Sequence, residues 1–189
     1  RQNNAMTELN SRIVILTGKP ADGKTTIGRL MAEKLGFMCI EGDDFITPVG
    51  KERLNDGSWN DTDRRLYLIR MAADAVEFAH DHTKIVIADC LTTRWMREFL
   101  AGSILRINSS LAIGFILIER ELNEAQVREI ARVRSEQGHA LDVNALITFR
   151  NAFESWDPNI HCVKLKNPGD NDQDKLLRVT IQAVKELWN

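Results

Sequence analysis

The sequence predicts a single α/β domain: a five-stranded parallel sheet with helices on both faces, and a helical lid. Three observations support this prediction. Short apolar segments alternate along the 189 residues with segments of helical periodicity, an order typical of doubly wound α/β domains. The apolar segments are nearly continuous, as expected for parallel strands that are buried on both faces. No repeat, low-complexity tract or linker divides the chain, and its length suits one domain.

The predicted elements follow one another in a regular order. The apolar runs that predict strands occupy residues 13–17, 37–41, 84–88, 111–118 and 161–165. Apolar residues at helical spacing predict helices at 25–35, 62–79, 93–102, 124–134, 143–155 and 172–187. In the second of these helices, Leu66, Ile69 and Ala73 form the apolar stripe, and Asp61 or Thr62 supplies the N-cap. Two stretches that contain glycine, 47–60 and 135–142, are predicted to be irregular.

Composition and charge exclude several classes of protein. Hydrophobic residues make up 43% of the chain and charged residues 28%, which indicates a folded globular protein. The formal net charge of −2 argues against nucleic acid as the main partner. There is no apolar run of about eighteen residues, so we expect no membrane span. The cysteines at positions 39, 90 and 162 lie on or beside predicted strands, and we interpret them as buried thiols in a reducing compartment.

We expect one domain to span residues 12–189, with the lid at about residues 128–142. Residues 1–11 are polar and lack the apolar core of a secretory signal, so they are expected to form an N-terminal tail. Met6 is a candidate for the native start, with residues 1–5 left over from cloning. A cytoplasmic location is expected, and the sequence leaves room for a homodimer.

Residues 18–25 read GKPADGKT and match the phosphate-loop pattern G-x-x-x-x-G-K-[ST] at every fixed position. A predicted strand precedes the motif and a predicted helix follows it, as the motif requires. Backbone N–H groups and the helix N-terminus are expected to hold the phosphates of ATP, Lys24 to reach the β- and γ-phosphates, and Thr25 to ligate Mg²⁺. The predicted nucleotide-binding residues of this segment are Gly18, Ala21, Asp22, Gly23, Lys24, Thr25 and Thr26.

Acidic residues follow two of the predicted strands, at the sheet edge where open α/β domains bind ligands. Asp43 follows the second strand and is expected to accept the proton of an attacking hydroxyl or to hold a Mg²⁺-bound water. Alternatively, Asp43 and Asp44 only cap a short helix. Asp89 ends the third strand after four apolar residues, a Walker-B-like ending that would steady Mg²⁺ through water. A plain helix cap is the alternative for Asp89.

Basic residues on two predicted helices are candidates for binding anions. Arg94 and Arg97 open one of them and could hold an anionic or polyhydroxylated acceptor. Arg128, Arg132 and Arg134 lead into the lid loop, and a closing lid would bring arginines to the transferred phosphoryl group. We expect Arg132 to act in catalysis and Arg128 to contact the nucleotide. The alternative pairs these arginines with glutamates at positions 124, 129 and 136 of the same helix.

A family resemblance rests on six segments besides the phosphate loop. These are EGDDF at 41–45, KERL at 51–54 followed by Gly57, DTDRRLYL at 61–68, TRWMRE at 93–98, GH at 138–139 and residues 149–158. They resemble, in turn, the D-G-D, N-K-E-K-M, D-x-D-R-x-P-W-L, K-K-x-Y-R-D, G-H and Q-F-x-x-L-E-x-P segments of the gluconate kinase (gluconokinase) family. That family comprises small P-loop carbohydrate kinases, and shikimate kinases are more distant fold relatives. The resemblance covers residues 13–187.

The resemblance implies roles for residues of the acceptor pocket. By it, Asp43 would contact the acceptor hydroxyl, and Arg64, Arg94 and Arg97 would help hold a sugar acid such as gluconate. This sequence departs from the family in that pocket: FITP at 45–48 lacks the usual histidine, and a threonine at position 93 replaces the first lysine. The residues expected to bind the nucleotide do not depart from the family pattern. A shikimate kinase is disfavoured because DCL, not a glycine triplet, follows the third strand.

The leading hypothesis is an ATP- and Mg²⁺-dependent kinase that phosphorylates a hydroxyl of a small carbohydrate acid. The residues that would act are, for catalysis, Lys24, Asp43 and Arg132 and, for the metal, Thr25 and Asp89. Two alternatives stay open. A nucleoside or nucleotide kinase would need an aromatic residue such as Phe45 or Trp59 in the acceptor cleft. A non-catalytic nucleotide-binding module would have a degenerate acceptor site.

Overall fold

A sheet of five parallel strands organises residues 11–189, the part of the chain that the computed structural model describes, and it confirms the predicted α/β fold. The strands, whose order in the sheet is β2-β3-β1-β4-β5, are β1 (Arg12–Gly18), β2 (Met38–Glu41), β3 (Lys84–Ala88), β4 (Ala112–Glu119) and β5 (Val163–Lys166). The helices are α1 (Lys24–Leu35), α2 (Pro48–Asp56), α3 (Asp61–Phe78), α4 (Arg94–Ile107), α5 (Glu124–Glu136), α6 (Val143–Asn151) and α7 (Gln173–Trp188). A short 3₁₀ helix, Gly42–Phe45, follows β2.

The central strand β1 shows why both faces of the sheet are covered. Successive side chains of a strand point to opposite faces. Ile13 and Ile15 pack into the core formed with α3 and α4, whereas Val14 and Leu16 pack into the core formed with α1 and α7. All four side chains are fully buried. The continuous apolar run in β1 therefore serves two hydrophobic cores, as the sequence predicts.

A third apolar cluster joins α5 and α6 to the phosphate loop. It contains Val127 and Ala131 of α5, Leu146 of α6 and Ala21 of the loop. Ala21 has a positive φ of 74°, a conformation that costs a non-glycine residue about 1–2 kcal/mol. Because its methyl group is buried in this cluster, packing with α5 and α6 offsets part of that strain.

The sequence-based prediction is wrong for residues 47–60, which contain a helix. Thr47 is the N-cap of α2 and its hydroxyl accepts a hydrogen bond from the N–H of Gly50, while Pro48 occupies the first turn. Gly57 ends the helix with a φ of 81°. The glycines suggested a loop, but Gly50 lies inside the helix, where the ring of Trp59 packs closely against it. In addition, α4 extends to Ile107 and α6 ends at Asn151, several residues away from the predicted ends.

Three further predictions concern the chain as a whole. The N-terminal tail with its candidate start lies outside the described residues except for Ser11. Among the described helices, none is both long and apolar enough to cross a membrane. Cys39, Cys90 and Cys162 are free thiols, and each is partly exposed rather than buried as predicted.

Candidate active site

The phosphate loop leads from β1 into α1, as predicted. Gly23 is the N-cap residue of α1 and has a φ of 100°, which favours glycine. A side chain there would also collide with Asn167, because a Cβ would lie 2.5 Å from Nδ2. This same Nδ2 donates a hydrogen bond of 2.9 Å to the carbonyl oxygen of Asp22. Asn167 follows β5, so the far end of the sheet helps to fix the loop.

Asp22 turns its side chain into the protein, and the contact of its backbone with the nucleotide stays a prediction. Its carboxylate is almost fully buried and forms an ion pair with Arg150 of α6, whose Nη1 lies 2.5 Å from Oδ1. Arg150 also donates to the carbonyl oxygens of Pro20 and Arg120. Burial raises the pKa of Asp22, and the neighbouring Arg150 opposes that shift. Arg150 thus anchors the loop, and no local sequence pattern identifies it.

Lys24 and Thr25 stand at the end of the loop, where the motif predicts them. Lys24 Nζ donates a hydrogen bond of 2.8 Å to the carbonyl oxygen of Lys19. Burial lowers the pKa of Lys24 below its usual value. The Thr25 hydroxyl donates a 2.9 Å hydrogen bond to Glu41 Oε2, and Arg29 Nε contacts the other carboxylate oxygen at 3.2 Å. Glu41 is therefore a residue of the site that sequence reasoning missed, although it opens the EGDDF segment.

Asp89 is buried at the end of β3 and has an incomplete hydrogen-bond shell. The Tyr67 hydroxyl donates a 2.7 Å hydrogen bond to Asp89 Oδ1. Oδ2 is buried and has no hydrogen-bond partner among the described residues. Burial raises the pKa of this carboxyl to about 6, and the negative charge of Asp43 contributes in the same direction. The free oxygen can receive a water that belongs to a bound cation, so the residues present fit the outer-sphere role predicted for Asp89.

Two neighbouring cavities meet at the acidic residues. The first, here called the Lys24 cavity, is lined by Lys24 and Thr25 of the loop and by Arg134 and His139 of the lid. The second, the Trp59 cavity, is lined by Ile46, Leu54, Trp59, Arg64, Tyr67, Thr92, Met96 and Phe149. Four residues line both: Asp43, Asp89, Cys90 and Leu141. Asp43 and Asp89 therefore stand between a phosphate-binding loop and a second, more apolar space.

The lid contributes Arg134 and His139 to the Lys24 cavity rather than the two arginines expected. His139 Nδ1 lies 3.6 Å from Asp43 Oδ2, and Arg134 Nη2 lies 3.3 Å from the same nitrogen. Arg128 instead pairs with Glu124 on the solvent side of α5. Arg132 likewise pairs with two glutamates of α5, Glu129 and Glu136. The structure thus favours the alternative reading for Arg128 and Arg132, because residues spaced by three or four on one helix satisfy their charges.

The three arginines expected to hold a sugar acid have different environments. Arg64 lines the Trp59 cavity and forms an exposed ion pair with Asp61. Arg94 is exposed, and its guanidinium donates to the carbonyl and hydroxyl oxygens of Ser155. Neither Arg94 nor Arg97 lines either cavity. The role predicted for Arg94 is therefore not supported by its position.

Arg97 is a buried structural residue, which corrects its predicted contact with the acceptor. Its guanidinium donates to the carbonyl oxygens of Leu91 and Thr92 and to those of residues 154 and 155. The rings of Phe153 and Trp156 lie 4.6 and 5.0 Å from its central carbon. Burial lowers the pKa of Arg97. Each of its three guanidinium nitrogens donates to a protein carbonyl oxygen, so Arg97 joins α4 to the segment after α6.

Comparison with known proteins supports the resemblance noted in the motifs. The chain is 25% identical over 180 residues to a probable gluconokinase of Schizosaccharomyces pombe, which covers 92% of this chain and 90% of the relative. It is 22% identical over 147 residues to a gluconokinase of Arabidopsis thaliana, covering 75% and 77% of the two chains. No family model matches the chain.

A solved structure gives the same fold. The crystal structure of a gluconokinase from Sinorhizobium meliloti 1021 superposes with a TM-score of 0.66 at 21% identity, covering 94% of this chain and 93% of the other. The predicted P-loop kinase fold and the resemblance to gluconokinases are thereby confirmed.

Proposed function

We propose that this chain, a small-molecule kinase similar to gluconokinases, transfers the γ-phosphoryl group of ATP to a hydroxyl of gluconate or a closely related sugar acid. The observation that carries the proposal is the position of Asp43, which lines both the Lys24 cavity and the Trp59 cavity. A hydroxyl bound in the Trp59 cavity would meet the phosphate at Asp43. The similarity to the yeast relative along nearly the whole chain supports the same reading.

The phosphate loop supports a role in binding the phosphates of ATP and Mg²⁺. We infer that Lys24 binds the β- and γ-phosphates and that the Thr25 hydroxyl exchanges Glu41 for Mg²⁺. Mg²⁺ would supply charge neutralisation at the phosphates. No described group of three acidic, histidine or cysteine residues could hold a metal alone. Thr25 would therefore share the ion with phosphate and water oxygens, and Asp89 Oδ2 would bind one of those waters.

On the acceptor side, Asp43 orients the attacking hydroxyl and accepts its proton. His139 and Arg134 lie above it on the lid, so lid closure brings positive charge toward the transferred group and keeps water out. Most of the rate gain would come from positioning and charge neutralisation, because phosphoryl transfer needs little covalent help from protein groups.

The two alternative functions are a nucleoside or nucleotide kinase and a non-catalytic nucleotide-binding module. Trp59 lines the acceptor side, which is the feature that a nucleoside kinase would need. The curated relatives are gluconokinases, and they do not favour a nucleoside acceptor or a non-catalytic module. A homodimer and a cytoplasmic location stay predictions from the sequence.

The test is ATP turnover with a panel of sugar acids, sugars and nucleosides. We expect gluconate or a near relative to stimulate ATP consumption and to yield a phosphorylated acid. Lys24→Ala should lower turnover by at least about 100-fold, and Asp43→Asn should lower kcat by about 100-fold or more while ATP still binds. Asp74→Asn, on the exposed face of α3, is the matched control with unchanged turnover. If no acceptor raises ATP consumption above background, the proposal is wrong.

A further inference from the structure

The lining of the Trp59 cavity does not match a ligand that carries a hydroxyl on every carbon. Ile46, Leu54, Trp59, Met96 and Phe149 contribute apolar surface to it. A hydroxyl that is moved from water onto such surface loses its hydrogen bonds, and this costs free energy unless a partner replaces the water. A fully hydroxylated six-carbon acid would bring several hydroxyls into this space.

The polar groups of the cavity are few and lie apart from the apolar wall. Asp43 and Asp89 stand where the two cavities meet, so they serve a hydroxyl close to the phosphate. Tyr67 already donates its hydroxyl hydrogen to Asp89. Thr92 is the remaining hydroxyl of the lining, and it is 7% exposed.

Positive charge in the cavity is limited to one side chain. Among the described residues that line it, Arg64 is the single cation. The hydrogen bond to Asp61 occupies Nη1 of its guanidinium, which has five N–H donors in all. Arg97 and Arg94 cannot add to this charge, since both donate to protein oxygens elsewhere. The cavity therefore has one place for a carboxylate.

We propose that the preferred acceptor is a deoxygenated sugar acid. It has one carboxylate, which Arg64 binds, and one hydroxyl, which Asp43 orients for phosphorylation. Between them lies at least one methylene carbon, which packs against Ile46, Trp59 and Met96. This inference rests on the proposed kinase function and narrows its substrate class.

The experiment compares gluconate with its deoxy analogues, each lacking one hydroxyl between the carboxylate and the phosphorylated end. We expect one deoxy acid to have a kcat/KM at least about tenfold above that of gluconate, because an unpaired hydroxyl in an apolar site is poorly tolerated. Calorimetry with a non-hydrolysable ATP analogue present should give the same order of affinities. This binding measurement does not depend on turnover.

A variant pair tests the physical cause. Ile46 is only partly buried, so Ile46→Asn adds an amide to the cavity wall without emptying the core. The amide offers a hydrogen-bond partner, and the preference for the deoxy acid over gluconate should shrink by at least about threefold. Ile69→Asn is the matched control, because Ile69 is 47% exposed on α3 and lines neither cavity. Its preference should equal that of the wild type.

The outcomes separate this inference from the function it rests on. If gluconate is phosphorylated and bound at least as well as every deoxy acid, the inference is overturned and the kinase function stands. A preference that Ile46→Asn and Ile69→Asn leave equally unchanged would also overturn it, since the apolar wall would not be the cause. If no acid is phosphorylated or bound, the proposed function fails together with the inference.

Discussion

The Tyr67 hydroxyl and the Asp89 carboxylate form a buried hydrogen bond of 2.7 Å directly beneath the backbone of Gly42. Tyr67 comes from α3 and Asp89 from the end of β3, whereas Gly42 opens the 3₁₀ helix that carries Asp43. The pair therefore links the acceptor-side helix to the carboxylate proposed to serve the metal. Burial raises the pKa of both groups. The hydrogen bond offsets part of the cost of burying Asp89 Oδ1, whereas Oδ2 has no partner among the described residues.

Gly42→Ala should destabilise the fold, because a Cβ at this position would lie 2.2 Å from Asp89 Oδ1 and 2.5 Å from the Tyr67 hydroxyl. We expect a loss of about 1–3 kcal/mol in the free energy of unfolding, as for overpacked cores, measured by urea denaturation. Gly102→Ala on α4 is the control, since a Cβ there meets nothing within 4 Å. It should stabilise the protein by up to about 1 kcal/mol. Equal effects of the two substitutions would contradict the close approach at Gly42.

Asp89→Asn should stabilise the free protein at neutral pH. The folded state raises the pKa of this carboxyl from 3.8 to about 6, so between these values the folded chain keeps a proton that the unfolded chain releases. The contribution of this group to the free energy of unfolding is therefore greatest below pH 4, and it is lost as the pH rises to 6. Above pH 6, removing the charge should raise the free energy of unfolding by at most about 3 kcal/mol. The hydrogen bond from Tyr67 should persist in the variant.

The measurement for Asp89 is the free energy of unfolding from pH 4 to pH 8. Its control is Asp74→Asn, which changes an exposed aspartate and should follow the wild-type pH profile. Turnover should fall in Asp89→Asn even as stability rises, because the proposed metal contact is lost. A wild-type profile in Asp89→Asn would show that folding does not raise the pKa of this carboxyl, and it would contradict the prediction.

We expect Arg97→Gln to lower the stability of the protein and Arg64→Gln to weaken binding of the acceptor. Arg97→Gln leaves buried backbone carbonyls without their hydrogen-bond donor. We expect the free energy of unfolding to fall by about 3–5 kcal/mol. Arg64→Gln alters an exposed ion pair, worth about 0–1 kcal/mol, but it should raise KM for the acid acceptor at least about tenfold. Thermal unfolding and acceptor titration distinguish them. A raised KM with normal stability in Arg97→Gln would restore the contact expected from the sequence.

Arg134→Gln should lower kcat by about 10–1,000-fold, since Arg134 lines the Lys24 cavity and its charge would act on the transferred group. Arg132→Gln is the matched control on the same helix. Its guanidinium is paired with Glu129 and Glu136 in solvent, so kcat should stay within about twofold. Steady-state kinetics at saturating ATP measure both. The reverse result would mean that the lid rotates on ATP binding.

Asn55 holds the lid loop against α2 and should control water exclusion. Its Nδ2 donates to the carbonyl oxygen of Ala140 at 3.0 Å, and its Oδ1 accepts from the N–H of Asp142 at 2.9 Å. Asn55→Ala removes both bonds, so ATP hydrolysis without acceptor should rise several-fold relative to phosphoryl transfer. Asn144→Ala, at an exposed position of α6, is the control with an unchanged ratio. An unchanged ratio in Asn55→Ala would mean that other contacts close the lid.

Local sequence patterns were sufficient to predict all five strands and the phosphate loop. The apolar runs and the GKPADGKT segment depend on neighbours within a few residues, so they can be read locally. The stripe and the N-cap predicted for α3 are wrong in part, because Leu66 and Ile69 are exposed and Asn60 caps the helix. All five strands lie within one or two residues of their predicted bounds, and Lys24, Asp43 and Asp89 occupy the predicted edge of the sheet. The helix α2 was missed because glycines mark loops locally, whereas Gly50 serves a tight contact with Trp59.

The partners of the charged residues depend on contacts between distant parts of the chain. Asp22 and Arg150 are 128 positions apart, yet their ion pair commits the Asp22 side chain to anchoring the loop. Arg97 turned inward to carbonyl oxygens near residue 155, and Arg134 rather than Arg132 reached the Lys24 cavity. A charged side chain can pair with any opposite charge or carbonyl within a few ångströms. The chain path sets which of these partners is near, and local sequence patterns do not encode that distance.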